Sequence, residues 1–411
     1  MFKKSSKSSQ LNIFTSPTSL FSGNSLKMYD NENAWHNQFR QQVTMRIDEG
    51  IFRPLYCKDN ASPNAPIRVL VSMMVLKEAE GLSDQKTFEN CRFNMLTRSA
   101  LGLFNVTDSL PTESTYSLFR KNIMEYAKKN GENLFETAFA QITKNQCSEF
   151  EVSGKRIRIR MDSKLMESNI AWLSRYELIH ETLRIFYKEV EKNKEIDEET
   201  DSKLSELLKL EGNKIVYTSS NEEIQNRLLE LGTLIYKILP LFSSLNSSRY
   251  QMLKRVFNEQ YSADENNLVV ARKKEEISVK SVQSPHDTDC DYRNKDTQKV
   301  KGYSINVTES CDDDKENQLN LIGHVDVRKA STSDVNYLTD CIDKAQDVFT
   351  DKIKGAHADG AYHSPDNQSY CKEEKIELYL HAIQGSKNRY KFILIDNELH
   401  SVIEIQTNEV I

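Results

Sequence analysis

The stretch Lys155-Arg156-Ile157-Arg158-Ile159-Arg160-Met161-Asp162-Ser163-Lys164 decides how the rest of the chain is read. Ile157, Ile159 and Met161 alternate with Arg156, Arg158 and Arg160, which is the period of a β-strand. The alternation ends on Asp162, followed by Ser163 and Lys164. Two readings fit this pattern. One is an edge strand with a solvated basic face and an aspartate in the following turn. The other is a strand end that offers a carboxylate to a metal beside a basic row suited to a polyanion. A second stretch, Gly355-Ala356-His357-Ala358-Asp359-Gly360-Ala361-Tyr362-His363-Ser364, favours the second reading, because a short strand again runs into an aspartate.

The chain has 411 residues, room for two or three domains and a core. It is 38% hydrophobic and 28% charged, a soluble, globular composition, and no apolar run is long enough to span a bilayer. The first thirty residues are polar and rich in serine without the apolar core of a secretory signal, so residues 1–30 are read as a disordered tail. Cysteines stand at 57, 91, 147, 290, 311, 341 and 371, none in Cys-x-x-Cys spacing. That argues against a disulfide framework or a thiolate zinc site and fits a reducing, cytoplasmic location. Charge is uneven: residues 1–160 carry 22 Lys and Arg against 16 Asp and Glu, and the remainder 33 against 45. A basic front is a mild signal for nucleic acid.

Hydrophobic spacing predicts a run of helices before the decisive strand. Over 34–60, Trp35, Phe39, Val43, Ile47, Ile51 and Phe52 mark the first, which ends in an aromatic-containing loop. The next opens at Pro66 and stops at Gly81, with Ile67, Leu70, Val71, Met74 and Val75 on one face. Ser83 caps a short helix, Thr112 or Ser114 starts another that ends near Gly131, and a fifth covers about 132–145. Such a series fits a helix-turn-helix module or a bundle that only packs or dimerises. After the strand, residues 172–262 read as a charged helical insertion of four helices with an acidic linker at 192–203. Strands return near 298–307 and 319–327, joined by a polar loop from Glu309 to Gln318. Ser333 caps a helix over 334–349, the strand into Asp359 follows, then a helix at 364–374 and strands at 376–383, 390–395 and 401–406. The fold class is therefore α+β, with a mixed sheet whose first two strands are separated by the insertion. If the first strand and the one ending in Asp359 are neighbours, Asp162 and Asp359 come together. Two such carboxylates ionise cheaply only around a cation, and their hard oxygens suit Mg²⁺ or Mn²⁺.

In this order the motifs resemble a bacterial insertion-sequence transposase of the DDE type, with an RNase H-like core. The resemblance is carried by Arg158 to Lys164 with Asn169-Ile170-Ala171-Trp172, by Ser284-Pro285-His286-Asp287 with Tyr292-Arg293, and by Val300-Lys301-Gly302-Tyr303. Ala358-Asp359-Gly360-Ala361-Tyr362 carries it best, and Val69 to Leu103, with Gly81-Leu82-Ser83-Asp84 and Ala100-Leu101-Gly102-Leu103, resembles the family's amino-terminal domain. It covers most of residues 35–400. It implies a helical DNA-binding or dimerisation domain at 31–150 and a catalytic core at 151–411. Asp162 and Asp359 become the first two acidic residues and the ligands of two Mg²⁺ or Mn²⁺ ions. Double-stranded DNA, as terminal repeats and target, is the implied partner, and the active form is a homodimer in a bacterial cytoplasm, on the nucleoid when bound. No membrane is involved.

The family's third acidic residue is a glutamate on a helix beyond the second aspartate. Glu398, Glu404 and Glu409 are available, and none lies in a helical pattern with Arg or Lys beside it. The ending Glu409-Val410-Ile411 falls within a strand-like pattern, so the resemblance implies a carboxy-terminally truncated transposase. Two rivals follow: a DNA-binding remnant that occupies the element ends and blocks the full-length enzyme, and a metal-dependent nuclease using Glu398 or Glu404. His286-Asp287 reads as a loop, His357 and His363 as neighbours of the metal rather than ligands, Trp172 as core, and Lys387 with Arg389 as a solvated hairpin turn.

Overall fold

The computed structural model describes residues 2–4, 21–57, 64–105, 107–150, 152, 157–191, 195–263, 268–295, 298–311, 319–349, 352–381, 390–395 and 398–404. Lys155 and Arg156 of the decisive stretch, most of the loop from Glu309 to Gln318, the turn with Lys387 and Arg389, and Glu409 lie outside them. The chain forms two compact units. The first spans Met1–Ile157 with Asp312–Gly323 and Ala345–Lys352, and the second Arg158–Cys311, His324–Lys344 and Ile353–Ile411. The fold is α+β: a helical amino-terminal region, then a mixed sheet of parallel and antiparallel strands.

The first unit contains α1 (Gly23–Asp30), α2 (Trp35–Gln42), α3 (Ile67–Ala79), α4 (Asp84–Phe93), α5 (Met95–Ala100), α6 (Glu113–Asn130) and α7 (Leu134–Glu149). Local chemistry sets their ends. Ser83 Oγ accepts from the Lys86 amide and Thr112 Oγ1 from that of Thr115, and α6 stops at Gly131 with φ of 70°. The helix predicted over 34–60 is broken. Beyond α2 the chain runs in two 3₁₀ turns, Thr44–Arg46 and Glu49–Leu55, the second holding Gly50 and Pro54. α3 is enclosed rather than one-faced: Val69, Met73 and Leu76 are buried with Ile67, Leu70 and Val71. Phe52 packs between Phe119 and Phe135, with ring centroids 5.7 and 5.9 Å away. α1 corrects the expectation that residues 1–30 are wholly a tail. Tyr29 is buried, its ring lies 5.5 Å from that of His36, and its carbonyl accepts from Asn37 Nδ2 at 2.8 Å.

In the second unit, β1 (Ile157–Glu167) leads into an insertion of α8 (Arg175–Val190), α9 (Glu198–Leu208), α10 (Gly212–Thr218), α11 (Asn221–Ile238) and α12 (Ser248–Gln260). These helices share their own apolar core, including Ile179, Leu183, Phe186, Leu204, Leu231, Ile235, Leu253 and Val256. A short hairpin, β2 (Tyr261–Ala263) and β3 (Val269–Ala271), closes it. The main sheet then adds β4 (Asp291–Lys295), β5 (Gln298–Cys311), β6 (Ile322–Lys329), β7 (Ile353–Asp359) and β8 (Glu377–His381). Its order is β4-β5-β1-β7-β8, with β6 also paired to β5. β1 and β5 are antiparallel, with Asp162 opposite Val307 and Ser163 opposite Asn306, and β7 and β8 are parallel. α13 (Leu338–Phe349) lies between β6 and β7 in sequence, and α14 (Pro365–Glu373) follows β7. Ser333 makes no side-chain cap; a 3₁₀ turn, Asp334–Asn336, intervenes before α13. β9 (Tyr390–Ile395) and β10 (Glu398–Glu404) form a separate hairpin.

Candidate active site

The two strands that the sequence singled out, β1 and β7, are hydrogen-bonded neighbours. Along β1, Ile157, Ile159 and Met161 are buried, whereas Arg160 and Asp162 are exposed. Asp162 thus shares its face with Arg158, Arg160 and Lys164, and Ser163 points to the other. β7 ends on Asp359, also exposed. Its carboxylate turns the chain: Oδ1 accepts from the Ala361 amide at 2.8 Å and starts the 3₁₀ turn Gly360–Tyr362. Oδ1 of Asp162 likewise accepts from the Ser163 amide at 2.8 Å. Among the described residues neither Asp162 nor Asp359 is bonded to another side chain.

Beneath this face sits a buried polar layer. Ser304, Asn306 and Thr308 of β5 are fully buried, as is Tyr362, and Asp334 is 4% exposed. Asn306 Nδ2 donates to the Tyr362 hydroxyl at 2.5 Å, and Ser163 Oγ donates to Asp334 Oδ1 at 2.6 Å. Burial first, then the charges of Asp334, Asp162 and Asp359, push the Tyr362 hydroxyl far above the usual phenol range, against a bond from Ser163. One tyrosine therefore feels three carboxylates. Asp334 is the one the sequence did not reveal, because its place in a helical first turn gave it an ordinary structural role.

The other singled-out residues divide clearly. Asp287 accepts from Ser168, at the end of β1, and from the Tyr303 hydroxyl at 2.6 Å, so Ser284-Pro285-His286-Asp287 forms a turn that holds β1 to β5. His286 Nε2 lies 3.2 Å from Glu181 Oε1. Arg293 donates to the carbonyls of Ala330 and Thr332, a structural duty. Trp172, expected in the core, is instead half exposed, with the Lys301 ammonium 5.0 Å from its ring centre. His357 stacks on Tyr379 at 4.6 Å, and His381, unnoticed in the sequence, stands in register beside Asp359. Arg160 is paired with Glu309 at 2.5 Å, while Arg158 lies 5.7 Å over the Tyr379 ring. Glu398 and Glu404 belong to β10, not to a helix.

Ligand atoms of His324, Asp326 and Cys341 lie within 4.8 Å of one another. Asp326 already has a cation, because Arg328 Nη2 and Nε lie 2.7 and 2.9 Å from its Oδ2. The trio is therefore a partnered group rather than a vacant metal cage.

No described helix is long and apolar enough to cross a membrane. A family model described as a transposase domain (DUF772) matches residues 28–122, from the end of α1 into α6. The match supports a transposase family through the first unit; Asp162 and Asp359 lie in the second. No curated protein and no solved structure matches the chain.

Proposed function

We propose that the chain is a transposase of the DDE type with an RNase H-like core, which binds the ends of its element and cuts and joins DNA strands at a two-metal site. The observation that carries this reading is the adjacency of β1, which carries exposed Asp162 at mid-strand, and β7, which ends on exposed Asp359, both charges acting on one buried tyrosine. The transposase-domain match at residues 28–122 supports the same class from the other unit.

The donor set fits a hard divalent cation. Asp162 and Asp359 present exposed carboxylate oxygens on adjacent strands, hard ligands of the kind these ions take. They would hold two Mg²⁺ or Mn²⁺ ions, which when bound would clamp the attacking and leaving oxygens of an in-line phosphodiester displacement. In cleavage a water oxygen bonds to phosphorus, the bond to the 3′ oxygen breaks, and the departing oxygen takes a proton. In strand transfer that 3′ hydroxyl attacks a phosphodiester of the target, and no covalent enzyme intermediate forms. Lys164 and Arg158, on the face of β1 that carries Asp162, supply positive charge for the approaching phosphates. Acting on two element ends calls for a homodimer.

A strand-cleavage assay tests the reading. Labelled DNA from the flanks of the gene is incubated with Mg²⁺ or Mn²⁺ and with the chain or its Asp162→Ala and Asp359→Ala variants. Metal-dependent nicking by the parent that both substitutions abolish is the expected result. Binding without nicking by the parent would overturn the catalytic part and leave a DNA-binding protein. Nicking that survives both substitutions would place the chemistry elsewhere.

A further inference from the structure

We infer that the buried chain Asn306–Tyr362–Ser163–Asp334 is a positioning device that fixes the spacing of Asp162 and Asp359, an inference that rests on the reading above. The links at its two ends have a defined direction. Thr308 Oγ1 and Cys341 Sγ both donate to Asn306 Oδ1, at 3.2 and 3.4 Å, which orients the amide so that Nδ2 faces Tyr362. Ser163 commits its proton to Asp334 Oδ1. Tyr362 also interacts with Ser163, so the phenol links the two pairs. The chain ends on the buried carboxylate of Asp334.

Its placement gives it leverage. Ser163 follows Asp162 on β1 and pairs directly with Asn306 on β5. Tyr362 closes the 3₁₀ turn that the Asp359 carboxylate itself begins. A single phenol, just past the end of β7, thereby meets residues from the middle of β1 and of β5. A second bracket reinforces it: the buried Asn367 of α14 donates to the Tyr362 carbonyl at 2.8 Å and to the Val335 carbonyl, next to Asp334, at 3.0 Å. Neither Asp162 nor Asp359 is itself held by a side chain among the described residues, so their separation depends on the backbone that this layer fixes. Partners behind metal-binding carboxylates act in this way.

The test uses the full chain and Mn²⁺ alone, with bound ion read from the electron paramagnetic resonance of free Mn²⁺ and stability from thermal unfolding. Tyr362→Phe and Asp334→Ala should each weaken Mn²⁺ binding by about tenfold or more, while the protein remains folded at the assay temperature. Asp334→Asn keeps an oxygen to accept from Ser163, so it should bind within about threefold of the parent, far tighter than Asp334→Ala. This pair separates positioning from ligation. If Asp334 were itself a ligand, Asp334→Asn would lose the ion as Asp162→Asn does. Parental Mn²⁺ affinity in Tyr362→Phe would overturn the inference and leave the metal site standing. Absence of Mn²⁺ binding by the parent, or binding unchanged in both Asp162→Asn and Asp359→Asn, would instead overturn the site proposed above.

Discussion

Gly302 stands where no other residue fits. A Cβ there would lie 2.1 Å from the Met166 carbonyl oxygen and 2.6 Å from the Ser168 amide, both backbone atoms of the neighbouring segment. Gly302→Ala should therefore cost about 3 kcal/mol or more, read as a lowered urea midpoint. Asp287 gives a pH prediction at the same scale. Burial raises its carboxyl, but the bonds from Ser168, Tyr303 and the backbone at Cys290 and Asp289 outweigh it and hold the group below the usual carboxylate range. A depressed carboxyl stabilises the fold at neutral pH, and that part fades as pH falls below about 4, where the unfolded chain takes up the proton first. The stability gap between the parent and Asp287→Asn should thus be widest above pH 5 and close toward pH 3, in urea titrations across that range. Caps such as Ser83, Thr112 and Ser364 were legible in the sequence because their partners are three residues away. Asp334 and Asn306 were not, since their roles come from Ser163, 171 positions from Asp334, and from Tyr362, 56 positions from Asn306.

Among elements, the insertion makes the sharpest case. α11 opens with a capping box at Ser220 and Glu223 and carries Gly232 against the flat ring of Tyr261. A Cβ at Gly232 would come within 2.4 Å of that ring, which cannot swing away while its hydroxyl donates to the Leu228 carbonyl at 2.6 Å. Gly232→Ala should cost about 2 kcal/mol. Ser220→Ala, losing only the cap, should cost about 1 kcal/mol. Thermal unfolding followed by circular dichroism distinguishes the two. Apolar spacing made α8, α11 and the second half of α9 readable; the first half of α9, Glu198 to Lys203, lies in the stretch read as an acidic linker because its charges outweigh its apolar residues. α10, seven residues long, was too short for a period to register, and β4, Asp-Tyr-Arg-Asn-Lys, has no apolar alternation at all. The spacing over 34–60 ends as a helix at Gln42, and Gly50 and Pro54 keep the later part in a 3₁₀ turn, which local spacing of hydrophobics does not weigh.

At the scale of the whole molecule, the proposed function separates binding from chemistry. Chelation with EDTA should abolish strand cleavage and leave DNA binding within about twofold, because phosphate contacts rest on Lys and Arg rather than on the ions. Mobility-shift and nicking assays on one preparation check both halves. The order of strands and helices was legible, as was the α+β class; the adjacency of β1 and β7 was only a condition, since nothing local dictates which strands meet across an insertion of about ninety residues. The polar row Ser304, Asn306, Thr308 on β5 has one more consequence. A strand that slides by two residues keeps the same face toward the core, so apolar packing alone tolerates the error. Here such a slide would set Ser304 or Thr308 against Ser163, and neither side chain can both accept from two donors and reach Tyr362 as the Asn306 amide does. The row works as a combination lock: an assembly shifted by one notch could look folded to every probe of the core and still leave the bolt unturned.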